Sequence, residues 1–115
     1  MKNEQLQTLI KELKTISIEN DSRIWKSIAL DLEAPAKRRA AVNLSKIDRF
    51  SENDDVIIVP GKVLSMGNLS KKVTIAAYKF SHDALHKIKA SGSKVINLHE
   101  LAKKNPKGNK VKILG

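Results

Sequence analysis

Between Val73 and Leu98 the chain reads as strand, helix, strand in close succession, which narrows the possible folds more than any other stretch. Val73, Ile75 and Ala77 alternate with Thr74, Ala76 and Tyr78, a period of two that predicts a strand. Ser81 is a good N-cap for a helix over His82–Ala90 that buries Ala84, Leu85 and Ile88, and Gly92 supplies its C-cap. Val95-Ile96-Asn97-Leu98 predicts the next strand. Such a unit predicts a parallel pair with a right-handed crossover.

Two helices are expected before this unit. Leu6, Leu9, Ile10, Leu13 and Ile16 fall at helical spacing over Glu4–Ser17. Asn20-Asp21-Ser22 breaks that helix and offers an N-cap to a second, whose stripe is Trp25, Ile28, Ala29 and Leu32 and which Pro35 ends. The pair predicts a hairpin over 1–36 with Trp25 as a core anchor. Ala40–Ile47 alternates as a short strand, and Asp48–Asp55 reads as a loop or a single helical turn. Val56-Ile57-Ile58-Val59 is a continuous β-branched run expected to be a buried strand, with Pro60-Gly61 as its turn. A short helix over His99–Lys104, a basic turn at Asn105–Lys110 and a last strand at Val111 and Ile113 complete the chain. No internal repeat or low-complexity tract is apparent.

The 115 residues are one domain by size, and 41% hydrophobic with 30% charged residues describes a globular chain. No apolar run approaches the ~20 residues of a membrane span, and Met1–Gln5 lacks the apolar core of a signal peptide. Cysteine is absent, which removes disulfides, thiolate metal sites and a cysteine nucleophile. The expected location is the cytoplasm.

The net charge is +10, and it is unevenly placed. Residues 1–36 carry five basic and six acidic side chains, whereas residues 37–115 carry seventeen basic and six acidic. A basic field over the C-terminal two thirds draws polyanions and makes binding salt-dependent. Val59–Ser81 concentrates this chemistry, with glycines, four lysines and no acid between Lys62 and Lys79. The candidate RNA-binding residues are Lys37, Arg38 and Arg39; Lys46 and Arg49; Lys62, Lys71, Lys72 and Lys79, with Gly67 and Asn68 shaping the loop; and Lys107 with Lys110. Arginine forks suit bidentate phosphate contact and lysines act as point charges.

Enzyme chemistry finds little support. Five residues separate Gly61 from Gly67, where a Walker loop needs four, followed by Lys and Ser or Thr and then a helix. His82-Asp83-Ala84-Leu85-His86 places two histidines four apart on one helical face, with His99 as a conceivable third metal ligand. Asp83 is better explained by the helix dipole, and the histidines by simple exposure. Ser81, His82 and Asp83 are adjacent and cannot converge as a triad. Glu52, Asp54 and Asp55 read as a solvated loop without a facing acid–base partner. Trp25, Phe50, Tyr78 and Phe80 are too few for a platform that stacks single-stranded bases. Contacts to phosphate and 2′-hydroxyl groups of folded RNA are therefore expected.

The order of these residues resembles the archaeal and eukaryotic large-subunit ribosomal protein eighteen-e family, a relative of bacterial large-subunit protein fifteen. The segments that carry the resemblance are Val42-Asn43-Leu44-Ser45-Lys46-Ile47, Val59-Pro60-Gly61-Lys62-Val63-Leu64 with Gly67, Val73-Thr74-Ile75-Ala76-Ala77, and Phe80-Ser81 with Ala84. Gly92-Ser93 stands where the family helix usually ends in Gly-Gly. The resemblance implies an α/β fold, with an N-terminal helical hairpin followed by a mixed strand–strand–helix superhelical domain. It also implies a structural role in the ribosome, with large-subunit ribosomal RNA and neighbouring ribosomal proteins as partners. No cofactor, membrane or small-molecule substrate is expected. The alternatives are a metal-dependent hydrolase using His82 and His86, and a docking module that uses the hairpin.

Overall fold

A run such as Val56-Ile57-Ile58-Val59 has no polar face to give to water, so it needs helices on both sides of its sheet. The computed structural model, which describes residues 4–115, supplies them. Met1–Asn3, part of the stretch read as lacking a signal-peptide core, lie outside the described residues. The elements in order are α1 (Glu4–Asn20), α2 (Arg23–Glu33), a 3-10 turn (Ala36–Arg38), β1 (Ala40–Asn43), α3 (Leu44–Phe50), β2 (Val56–Leu64), β3 (Thr74–Phe80), α4 (His82–Ala90), β4 (Lys94–Asn97), α5 (Leu98–Lys104) and β5 (Val111–Ile113). The α/β class and the leading helical hairpin are as expected.

Every strand pairing is parallel, including the β3–β4 pair expected from the strand–helix–strand unit. The order is β1-β2-β3-β4, with β5 also on β2. Strands β5 and β1 share one edge of β2 end to end, β5 beside Val56–Ile58 and β1 beside Gly61–Leu64. Ladder alternation then sorts the core into two layers. Ile57, Ile75 and Val95 are register partners facing α3 and α4, where Leu44, Ile47, Ala84 and Ile88 are buried. Ile58, Ala76 and Ile96 are partners facing α1, α2 and α5. Each fully buried Leu or Ile in these layers stabilises the fold by about 1.5–3 kcal/mol.

The hairpin is part of this core. Trp25 is completely buried, and its Nε1–H donates to the Asn105 carbonyl at 2.9 Å. Asp21 takes a positive φ of 50° at the hairpin turn, and the Ser17 hydroxyl donates across it to the Ser22 carbonyl at 2.7 Å. Ser22 stands at the N-cap of α2 as expected, but its hydroxyl turns to the Lys107 carbonyl rather than to the helix. Ser81 does cap α4, accepting from the Ala84 N–H at 3.1 Å, and Gly92 follows that helix at φ +83°.

Four expectations need correction. Helix α1 continues past Ser17 to Asn20. Strand β4 ends at Asn97, and Leu98 opens α5 rather than closing the strand expected over Val95–Leu98. The strand expected over Ala40–Ile47 ends at Asn43, and α3 occupies Leu44–Phe50, including the start of the expected loop. Burial explains this: Leu44 and Ile47, three apart, both enter the core, a helical spacing. Finally, Pro60-Gly61 is not a turn but an irregularity inside β2, where the register to β3 shifts between Val59 and Lys62. Proline is tolerated there because the ladders on both sides skip it: neither β1, β3 nor β5 counts Pro60 as a partner.

Candidate nucleic-acid interface

The segment Ser65–Lys72 leaves the C-terminal end of β2 and returns to the N-terminal end of β3, and it is braced along its length. Met66 N–H donates to Asn43 Oδ1 at 3.2 Å, and Ser45 N–H donates to the Met66 carbonyl at 3.0 Å. Lys87 Nζ spans the Ser65 and Gly67 carbonyls at 2.9 and 3.0 Å. Ser70 donates to Asp48 Oδ1 through both its N–H and its hydroxyl. Gly67 has φ +93°, and a Cβ there would lie 2.7 Å from the Ser45 nitrogen, so the turn requires glycine. The amides of Met66 and Ser70 are thus spent inside the protein. The loop is a strut between helices, with Asn68 exposed at its tip, rather than an open cradle of amides.

The structure divides the lysine cluster expected around this loop. Lys62 and Lys79 are register partners on β2 and β3, both exposed. Lys72 lies at the opposite end, where its N–H bonds Asn53 Oδ1 and its carbonyl accepts from Asp54 N–H. From Val56, where β2 begins, to Lys62 is six residues of strand, roughly 20 Å. Lys71 is half-buried, and its ammonium is held by the Asp48 carbonyl.

Arg39 joins Lys62 and Lys79 instead. Its Nε–H donates to the Leu32 and Ala34 carbonyls at 3.2 and 3.1 Å, closing the C-terminal end of α2. The guanidinium lies 5.7 Å from the centroid of Tyr78, and Lys79 Nζ lies 5.3 Å from the same ring, both at cation–π range. Ala36, Arg39, Ala40, Ala41, Gly61, Lys62, Tyr78 and Lys79 line a groove of about 300 Å³. Lys37 and Arg38 are exposed on the adjoining 3-10 turn.

The remaining candidates stand apart. Lys46 and Arg49 are three residues apart on α3, both exposed, with the Arg49 guanidinium 5.5 Å from the half-exposed Phe50 ring. Lys107 Nζ donates to the Asn20 carbonyl at 3.1 Å and so ties the C-terminal loop to the hairpin, while Lys110 is exposed at φ +55°. His82 and His86 are exposed on α4, whereas His99 lies on α5 across the sheet, with Nδ1 2.5 Å from Glu12 Oε2. The sheet between them separates His99 from the other two histidines, so the three do not form a ligand set. Sequence reasoning missed Lys87 as the brace of the loop and Tyr78 as the anchor of two cations. Lys94, exposed and partnered in register with Thr74 near Lys72, was also missed. The β alternation at Tyr78 and the i+3 position of Lys87 after Ala84 were the available signals.

Two carboxylates are held ionised. Hydrogen bonds from the Ser70 N–H and hydroxyl, helped by the charge of Lys71, lower the Asp48 pKa below its ordinary value. Asp55 is lowered chiefly by its hydrogen bond with Lys112, 2.7 Å away, and by the Glu52 N–H; Lys112 is raised by the same contact. Both carboxylates pin the loops at the N-terminal end of the sheet and so offset positive charge there, in contrast to the groove lined by Arg39, Lys62 and Lys79.

Comparison with known proteins identifies the family. The profile of the family described as "Ribosomal protein 60S L18 and 50S L18e" matches residues 1–115. The large ribosomal subunit protein eL18 of Thermoplasma acidophilum is 49% identical over 105 residues, covering 91% of this chain and 88% of the relative. The protein of that name from Methanococcus maripaludis is 44% identical over 112 residues, 97% of this chain and 93% of the relative. That from Methanoregula boonei is 46% identical over 112 residues, with the same coverage of 97% and 93%. The chain belongs to this family of large-subunit ribosomal proteins.

Proposed function

We propose that this chain is a structural constituent of the large ribosomal subunit in the cytoplasm, binding and stabilising folded ribosomal RNA and so supporting translation. It is not an enzyme. Residues 1–115 act as one RNA-binding domain, made of the hairpin region 1–36, whose helices Glu4–Asn20 and Arg23–Glu33 pack on the sheet, and the basic region 37–115. The observation that carries the reading is the gathering of Arg39, Lys62 and Lys79 at one end of the sheet, beside Lys37 and Arg38, in a groove without a carboxylate. Lys46, Arg49, Lys72 and Lys110, exposed on other parts of the surface, extend the contact to neighbouring phosphates.

Filter binding to large-subunit ribosomal RNA across a salt series tests this. Neutralising six phosphates gives a slope of log affinity against log salt near −5 at duplex charge density. Binding that is flat with salt, or equal for any folded RNA of the same length, would count against the reading.

Among the described residues, Ile18 and Leu30 are the large apolar side chains that the hairpin leaves exposed, at 81% and 52%. They suit a contact with a neighbouring ribosomal protein in addition to the RNA. If Ile18→Lys left incorporation into the subunit unchanged, that contact would be discarded.

A further inference from the structure

The geometry points to a built seat for one backbone phosphate of folded RNA, in the groove between the Ala36–Arg38 turn and the C-terminal ends of β2 and β3. This rests on the RNA-binding reading above and names the ligand group of one part of that surface. The lining holds three cationic side chains, Arg39, Lys62 and Lys79, and no acid.

The register explains why two lysines meet there. Val59 pairs with Ala77, so a regular ladder would set Gly61 opposite Lys79. The extra residue at Pro60-Gly61 moves Lys62 into that place. Gly61 is also where β1 comes closest, since a Cβ would lie 2.0 Å from the Ala40 carbonyl oxygen. Like charges on directly opposed strand positions destabilise a sheet. Among the described residues neither Lys62 nor Lys79 forms an ion pair with a carboxylate. An anion between them removes that repulsion.

Arg39 supplies the fixed part of the seat. Its Nε is committed to the end of α2 and its guanidinium to the Tyr78 ring, which also holds Lys79. The donors on the two terminal nitrogens of the fork are therefore placed before any ligand arrives, which cuts the ordering cost of binding. A phosphate takes such a fork in bidentate fashion and accepts lysine contacts on its remaining oxygen atoms. A base is a poorer occupant, because cations already engage the Tyr78 ring.

Ethylation interference on archaeal large-subunit ribosomal RNA, with the full chain, tests the seat. A phosphate is expected whose ethylation weakens wild-type binding several-fold and weakens the Lys62→Ala/Lys79→Ala variant, which keeps only the Arg39 fork there, clearly less. That variant is expected to show a salt slope shallower by about 1.8, two contacts at duplex charge density. Both side chains are exposed, so the variant is expected to fold. A Lys72→Ala/Lys94→Ala variant, altered at the other end of the sheet, is expected to keep the interference at that phosphate. Salt-dependent binding with an interference pattern and slope identical in the groove variant and the wild type overturns the seat alone. A wild-type chain with no salt-dependent binding overturns the RNA reading and the seat with it.

Discussion

Ser70 meets Asp48 twice, its N–H and its hydroxyl each 2.8 Å from Oδ1, and this pair ties the long β2–β3 connection to α3. Asp48→Ala removes both bonds and is expected to cost about 1–2 kcal/mol, less than two buried charge-assisted bonds because the site is partly solvated. The pH dependence follows from the lowered pKa values of Asp48 and Asp55. A carboxyl whose folded pKa is depressed contributes stability above its unfolded pKa, near 3.9, and loses it as pH falls through the folded value. Urea midpoints are thus expected to fall below about pH 4, and to fall less in Asp48→Ala. Lys112 has the opposite sign: its raised pKa gives stability below the unfolded value that is lost as pH rises through the folded one.

Gly61 and Gly67 test two different reasons for glycine. Gly67→Ala forces an L side chain into φ +93° against the Ser45 backbone, and is expected to destabilise the fold by about 2 kcal/mol or more. Gly61→Ala drives a methyl group into the Ala40 carbonyl and is expected to part β1 from β2. Hydrogen exchange separates them: Gly61→Ala should deprotect Ala40–Asn43, and Gly67→Ala the Ser45 amide that bonds Met66.

Much of the fold was legible because local and global signals agree from Val73 to Leu98. The alternation, the Ser81 cap and Gly92 point to one answer there, and the structure gives it except at Leu98, which opens α5 instead of ending β4. The failures have a common cause. Leu44–Ile47 reads equally as alternating strand or as helix, and only burial of both Leu44 and Ile47 decides. A local signal existed nonetheless. Asn43-Leu44 and Asn97-Leu98 make the same strand-to-helix junction, the asparagines at φ −81° and ψ 156° and at φ −80° and ψ 157°. At 97–98 the downstream helix was evident; at 43–44 the alternation hid it. Pro60-Gly61 reads as a turn because nothing local shows that β5 and β1 occupy the same edge of β2 on either side of it.

The candidate site was legible as charge but not as geometry. Seventeen basic residues after residue 36 announce a polyanion partner, yet a charge run does not reveal which ammonium groups the fold consumes. Lys71, Lys87 and Lys107 bond backbone carbonyls, and Arg39 closes a helix. Such contacts span from five to eighty-seven residues of sequence, so no window of neighbours exposes them.

Trp25 decides whether the hairpin is core or an appended docking module. It is wholly buried between α1, the sheet and α5, and its indole N–H serves the Asn105 carbonyl. Trp25→Phe retains most of the apolar burial and removes the indole hydrogen bond, while the Asn105 carbonyl keeps the Gly108 N–H at 3.0 Å, for an expected cost of about 1 kcal/mol. Trp25→Ala adds a cavity and is expected to cost about 3–5 kcal/mol. A chain lacking residues 1–36 would bare Ile58, Ala76, Leu98 and Leu101 and is expected not to fold by circular dichroism. A folded, monomeric truncation would favour the docking role instead.

Lys71 and Lys72 are neighbours in sequence but are expected to differ in kind. The Lys71 ammonium is held on the Asp48 carbonyl and supports the Asp48 carboxylate. Lys71→Ala should therefore lower the melting temperature, by about 1 kcal/mol in stability, while leaving the salt slope of RNA binding unchanged. Lys72 is exposed, and its hydrogen bonds among the described residues are those of its backbone to Asn53 and Asp54. Lys72→Ala should leave the melting temperature within about 0.5 kcal/mol of wild type and make the slope shallower by about 0.9. Lys87→Ala is expected to behave like Lys71→Ala, because its ammonium closes the Ser65–Gly67 turn from α4. Thermal melts and salt titrations on the three variants check this division. If Lys72→Ala melted early while Lys71→Ala kept its stability and lost RNA affinity, the assignment of brace and contact would be reversed.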